Sequence, residues 1–228
     1  MIKAIILRFV DNTLSASLAN AYRRKRFEVF TSLLNKFPPP MKILDVGGSQ
    51  SFWSMMEFNS QREIKIWVLN LYKEEEQEPY QTLVGDARDM RQFKDNEFDV
   101  VFSNSVIEHV GSYDDQLLMA NEVRRVGKRY FLQTPNLYFP IEPHFLFPFS
   151  PFFPVGVKVW LLTHVGAWWH RGTLNKQEAI NVVSEIRLLR KRELIDLFPD
   201  ATIVEEKCLG LTKSFMLHAG WDTPSNAM

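Results

Sequence analysis

Asp45, Asn70, Asp86 and His109 each stand at or just beyond the end of a short apolar run, where a polar side chain can meet a ligand. Asp45 lies in Lys42-Ile43-Leu44-Asp45-Val46-Gly47-Gly48-Ser49-Gln50-Ser51, an aliphatic stretch that ends in an acid and breaks into small residues. The pattern predicts a buried parallel strand and a tight turn into a helix, with Gly47 and Gly48 allowing backbone angles that a side chain forbids. Backbone N–H groups at such a turn can face a ligand. Asn70 closes a second apolar run, Ile64 to Asn70. In doubly wound folds this position reaches the ribose of a bound nucleoside, and an amide offers a diol both donor and acceptor. Asp86, in Gly85-Asp86-Ala87 after Gln81 to Val84, can accept from an adenine amino group or cap a helix. His109 follows Phe98 to Ser103 and is the leading candidate for moving a proton, the alternative being a structural histidine at a helix start.

The elements that must position these groups follow from the pattern. Leu14 to Phe37 reads as helix, with Phe27, Phe30 and Leu34 at helical spacing and a stop at Pro38-Pro39-Pro40. Its basic cluster, Arg23 to Arg26, reads as a solvated face or as an arm over a ligand. Strands at Ile43–Val46, Ile64–Asn70, Gln81–Val84, Phe98–Ser103 and Lys128–Gln133 alternate with helices, which indicates an open parallel sheet. Lys73 to Glu78 reads as a solvated charged loop. Ser112 with Asp115, and Asn175 with Glu178, match capped helix starts. Ala201–Cys208 and Lys213–His218, joined through Gly210, predict an antiparallel closing pair.

The expected fold is therefore α/β: a Rossmann-like, seven-stranded, mostly parallel sheet with an antiparallel last strand and helices on both faces. One domain spans 1–228, with a helical cover at 1–40 and an insertion at 137–172. Prolines and aromatics crowd that insertion, including Tyr138, Phe149, Phe152, Trp160, Trp168 and Trp169. Proline at such density forbids a spanning helix, and a long apolar loop in a compact domain reads as a lid.

Lys plus Arg and Asp plus Glu both total 27, so nucleic acid is not an expected partner. Cys208 is the sole cysteine, which excludes an internal disulfide framework and zinc bound by a cysteine cluster, and fits a reducing, cytoplasmic setting. Met1 to Val10 is apolar but short and contains Lys3 and Arg8, so it reads as a packed or surface-associated segment and not as a signal peptide.

Together, Ile43 to Ser51, Asn70, Gly85-Asp86-Ala87 and Phe98 to Val110 resemble a class I S-adenosylmethionine-dependent methyltransferase, nearest to small-molecule enzymes that share the Ile107-Glu108-His109-Val110 sequence. The resemblance implies that Asp45, Gly47 and Gly48 shape the loop holding the methionine part of S-adenosylmethionine. Asn70 would contact the ribose, with Leu71 beside the adenine. Asp86 would take the adenine amino group, Ala87 would offer its N–H, and Asn104 would line the floor near the sulfonium. His109 would be the catalytic base, and Glu142, His144 and Tyr138 would face a small apolar or aromatic acceptor. The aromatic insertion would cover that acceptor, rest on a membrane surface or pair with a second copy. Two departures stand out: Ser49 and Ser51 occupy glycine positions of the family loop, and Asn70 replaces an acid. They imply a loop set differently, and they motivate an alternative in which the chain binds cofactor but no longer turns over.

Overall fold

The computed structural model describes residues 18–58, 63–75, 77–140, 149–165 and 173–222. Met1 to Val10, Glu142, His144, Trp168 and Trp169 lie outside the described residues. Strands β1 (Met41–Val46), β2 (Ile64–Asn70), β3 (Tyr80–Val84), β4 (Val100–Asn104), β5 (Tyr130–Pro135), β6 (Thr202–Cys208) and β7 (Leu211–Ala219) form one sheet in the order β3-β2-β1-β4-β5-β7-β6. The pairs from β3 through β5 are parallel, whereas β7 runs antiparallel to both β5 and β6. β7 alone therefore opposes the others, as the sequence predicts. Leu209 and Gly210, both at positive φ, make the two-residue turn between β6 and β7.

Helices α1 (Leu18–Leu34) and α2 (Gln50–Met55) are followed by α3 (Tyr113–Val126), α4 (Val155–His164), α5 (Lys176–Ser184) and α6 (Lys191–Leu197). Strand side chains alternate between two cores, as period two requires. Leu44, Val101 and Leu132 pack with Met119 and Val123 of α3 and Leu194 of α6. Ile43, Phe102 and Phe131 pack on the other face with Phe30 of α1 and Trp53 of α2. That second core is a run of rings at centroid distances of 4.9 Å for Phe30–Phe102 and 5.1 Å for Trp53–Phe102. Both predicted capping boxes form, at Ser112 with Asp115 and at Asn175 with Glu178. Among the described residues α1 runs from Leu18 to Leu34, Leu14 to Ser17 of the predicted helix lying outside them, and strand ends differ from the sequence reading by up to a few residues, because end residues lack a full set of ladder bonds.

The chain leaves β1 toward β2 on one side and returns to β4 on the other. This switch point between β1 and β4, at the carboxyl ends of the strands, is where open α/β sheets place ligands. A cavity of about 500 Å³ lined by Phe37, Met41 and Ile64 opens at the other edge, where β1 and β2 begin.

Candidate functional site

β1 carries Asp45 to the switch point almost fully buried, at 1% exposure. The Trp53 indole Nε1–H donates to its Oδ2 at 2.7 Å, while Oδ1 is buried with no hydrogen-bond partner. Burial pushes the carboxyl up to about 7; the indole bond opposes the rise and the nearby Glu74 charge adds to it. Gly47, at φ +70°, lies where a Cβ would stand 2.5 Å from Val106. At Gly48 a Cβ would stand 1.7 Å from Asp45 Oδ2, so the backbone passes directly over the carboxylate. Ser49 sits in this loop without backbone strain. Its φ is −141°, an extended angle open to any residue, and its Oγ accepts from the Phe52 N–H at 3.2 Å to cap α2. Ser51 Oγ lies 3.0 Å from Ser49 Oγ.

At the tip of β2, Asn70 Nδ2 donates to the Gly48 carbonyl and to Glu74 Oε1, each at 3.0 Å. Its amide thus ties the second strand to the glycine turn and leans on an acid four residues on. The reading of Lys73 to Glu78 as merely solvated is corrected here. Buried Gln50 donates to the Glu75 carbonyl and accepts from the Gln77 N–H, both at 2.7 Å. Thr82 Oγ1 adds a 3.3 Å bond to the Glu74 carbonyl. These bonds fold the segment back onto the glycine turn. Neither Asp45 nor Glu74 forms an ion pair with a Lys or Arg among the described residues. Leu71 is exposed at the mouth.

Beyond β3, the Gly85 N–H donates to the Asn70 carbonyl at 2.9 Å, which brings the 85–89 turn beside the second strand tip. Asp86 accepts the Arg88 N–H at 2.9 Å and its guanidinium at 2.6 Å. Those Arg88 bonds hold the carboxyl below the usual carboxylate range, against partial burial. Arg88 also reaches Asp115 Oδ1 at 3.1 Å, and Asp115 Oδ2 takes the Ser112 hydroxyl at 2.7 Å. Ala87 packs against the core below.

The β4 side is built differently. Asn104 Oδ1 accepts from Arg26 of α1 at 3.2 Å, and the same guanidinium lies 3.3 Å from Glu206 Oε1 of β6. Glu206 also takes Ser214 Oγ at 2.7 Å and Lys213 Nζ at 3.3 Å. Burial lowers the pKa of Arg26, opposed by the Glu206 and Glu108 charges, and burial likewise lowers Lys213. Glu108 is fully buried and accepts from Thr134 Oγ1 at 3.0 Å, fixing the turn after β4. His109, beside it on the Ile107–His109 turn, is exposed. Tyr138 follows β5, its ring exposed and stacked on Phe152 at 6.5 Å.

The structure thus gathers Asp45, Gly47, Gly48 and Asn70 at one point, with Asp86 and Ala87 next to them and Asn104 across the switch point. Residues 60–130, covering β2 to the start of β5, match a family model described as a methyltransferase domain. That part of the chain is similar to the methyltransferase domain family. The match begins after the glycine turn, so the geometry at Asp45 is independent of it. Among solved structures, the CurJ carbon methyltransferase is 13% identical with a TM-score of 0.56, over 96% of this chain and 58% of that one. A cyclopropane-fatty-acyl-phospholipid synthase-like protein from Lactobacillus casei ATCC 334 is 11% identical with a TM-score of 0.51, over 95% of this chain and 97% of that one. A Rhodobacter sphaeroides protein named for the Zn-dependent alcohol dehydrogenases is 10% identical with a TM-score of 0.50, over 82% and 86%. At these identities the likeness is one of fold. No match was found among curated protein sequences. At this site the sequence reading missed Glu74 and Gln50, and left Arg26 undecided. Arg26 could have been found: it stands four residues before Phe30, on the edge of the buried stripe of α1.

Proposed function

We propose that the chain is an active S-adenosylmethionine-dependent methyltransferase acting on a small apolar or aromatic acceptor. The observation that carries this reading is the pair of carboxylates, Asp45 and Glu74, set beside the glycine turn with no Lys or Arg paired to them among the described residues. A ligand with positive charge and a ribose fits that vacancy of charge. When bound, S-adenosylmethionine supplies an electrophilic methyl group on a sulfonium.

Each residue then has a task. Asp45, Gly47 and Gly48 present carboxylate and backbone to the methionine part, at the place where only glycine clears Asp45. Glu74, oriented by Asn70, takes the ribose diol in place of the family's acid. Leu71 and Ala87 flank the adenine, and Asp86, kept ionised by Arg88, accepts from its amino group. Asn104, held by Arg26, forms the floor. Aligning nucleophile and methyl lowers the barrier by several kcal/mol through proximity alone. His109 serves as base where the acceptor must lose a proton, with Tyr138 beside the acceptor; Glu142 and His144 stay part of this reading from sequence. The alternative of binding without turnover loses its motive at Ser49, whose extended backbone needs no glycine. The lone cysteine keeps the cytoplasmic reading in place. No helix among the described residues is long and apolar enough to cross a membrane.

Calorimetry with S-adenosylhomocysteine tests the proposal. The chain binds, and Glu74→Gln weakens binding roughly tenfold through loss of a charge-assisted bond. Absence of heat at millimolar ligand would end the reading.

A further inference from the structure

We propose that Arg23, in the first turns of α1, receives the α-carboxylate of the methionine part of S-adenosylmethionine, across the glycine turn from Asp45. Resting on the methyltransferase reading, this supplies the cation that an amino-acid zwitterion lacks beside the Asp45 and Glu74 carboxylates.

The course of α1 puts Arg23 there. Arg26 meets Asn104 at the end of β4, whereas the chain beyond α1 reaches Phe37, which lines the cavity where β1 and β2 begin. α1 therefore runs against the parallel strands, and the residues before Arg26 stand past the carboxyl ends of the sheet. Arg23 lies nearly one turn further out, roughly 4.5 Å along the axis. The side of the helix it occupies follows from Phe27, four residues on and on the same face. The Phe27 ring packs on Phe52 at 5.9 Å and on Trp53 at 5.8 Å, and both belong to α2, the helix that the glycine turn opens. Trp53 is also the residue that holds Asp45. Tyr22 and Arg26 look the other way, toward β6. There the Tyr22 hydroxyl donates to the Lys207 carbonyl at 3.4 Å, and Arg26 lies against Glu206.

Arg23 is also the cation that the protein leaves over. Arg26 and Lys213 share Glu206, and the Glu108 charge acts on Arg26 as well. Arg23 Nη1 donates to Asn20 Oδ1 at 3.0 Å, and no acid meets this guanidinium among the described residues. Asn20 is itself buried, so the bond fixes the planar group and leaves most of its five N–H donors for a ligand. Such a fork matches a carboxylate with two parallel bonds. Burial lowers the Arg23 pKa and the like charge of Arg26 lowers it further, a cost that an entering anion offsets. Arg24 and Lys25, the other members of the basic cluster, are exposed.

Calorimetry with two nucleosides tests the assignment: S-adenosylhomocysteine, which has the carboxylate, and 5′-methylthioadenosine, which lacks the whole amino-acid part. Arg23→Gln weakens S-adenosylhomocysteine binding roughly tenfold and leaves that of 5′-methylthioadenosine within about twofold. Arg23→Lys, which keeps the charge and loses the fork, falls between parent and Arg23→Gln. Arg24→Gln changes neither affinity. An Arg23→Gln chain that binds S-adenosylhomocysteine like the parent overturns the inference and leaves the methyltransferase reading standing. Equal weakening of both nucleosides overturns it too, since Arg23 would then act through the fold and not on the carboxylate. A parent chain that binds neither nucleoside ends both readings.

Discussion

The two halves of the strand-tip edge handle charge in opposite ways. Around β4, β6 and β7, Arg26 and Lys213 share Glu206 with Glu108 nearby, so buried charges compensate one another inside the protein. Around β1 and β2, burial raises the Asp45 pKa and the Glu74 charge adds to the rise, while among the described residues an indole donates to Asp45 and an amide to Glu74. Burying carboxylates without a cation costs stability, whereas a paired set holds elements together. The first half is thus a clamp that seats α1 on the sheet, and the second is completed by a ligand from outside.

The sharpest way to break this comparison is Arg26→Ala. Removing one partner of a buried cluster leaves Glu206 with Lys213 as its one cation among the described residues, beside the Ser214 hydroxyl, and destabilisation of about 3 kcal/mol in urea unfolding is expected. A loss below about 1 kcal/mol would show that the clamp contributes no more than a surface pair. The ligand half is read through pH. Asp45 titrates at about 7 in the folded chain against about 4 unfolded, so the folded state binds the extra proton between those values. Stability therefore falls as pH rises from about 4 to 7, and Asp45→Asn flattens that slope. Affinity for S-adenosylmethionine moves the other way, rising by up to about tenfold per pH unit until Asp45 is ionised near 7, then levelling. Calorimetry at several pH values checks both the rise and its absence in the Asn variant. The smallest effect belongs to Ser49. Ser49→Gly, which restores the family's residue, costs a few tenths of a kcal/mol in thermal unfolding, while Ser49→Ala costs about 1 kcal/mol through loss of the α2 cap.

Local signals were legible in the sequence and long-range ones were not. The aliphatic run ending at Asp45, both capping boxes and the turn at Gly210 depend on residues within a few positions of one another, and the structure keeps them all. The parallel run of the sheet followed from the alternation of strands and helices, whereas the strand order was not read. Glu74 escaped because it sits in the charged stretch Lys73-Glu74-Glu75, which reads like any solvated loop until Gln50, twenty-five positions earlier, pins its neighbours. Glu206 escaped for a similar reason: strand periodicity does not reveal that Arg26 crosses from α1 to meet it. Asp86 was legible as an acid beyond a strand, but its neutralising partner Arg88 was not read as part of the group.

Asp115 joins the start of α3 to the turn beyond β3, since one oxygen takes Ser112 and the other takes Arg88, which in turn carries Asp86. Positions 86, 88 and 115 accordingly form one heritable character. Among relatives they should change in concert, and a lineage that loses the arginine sheds the reason for either acid.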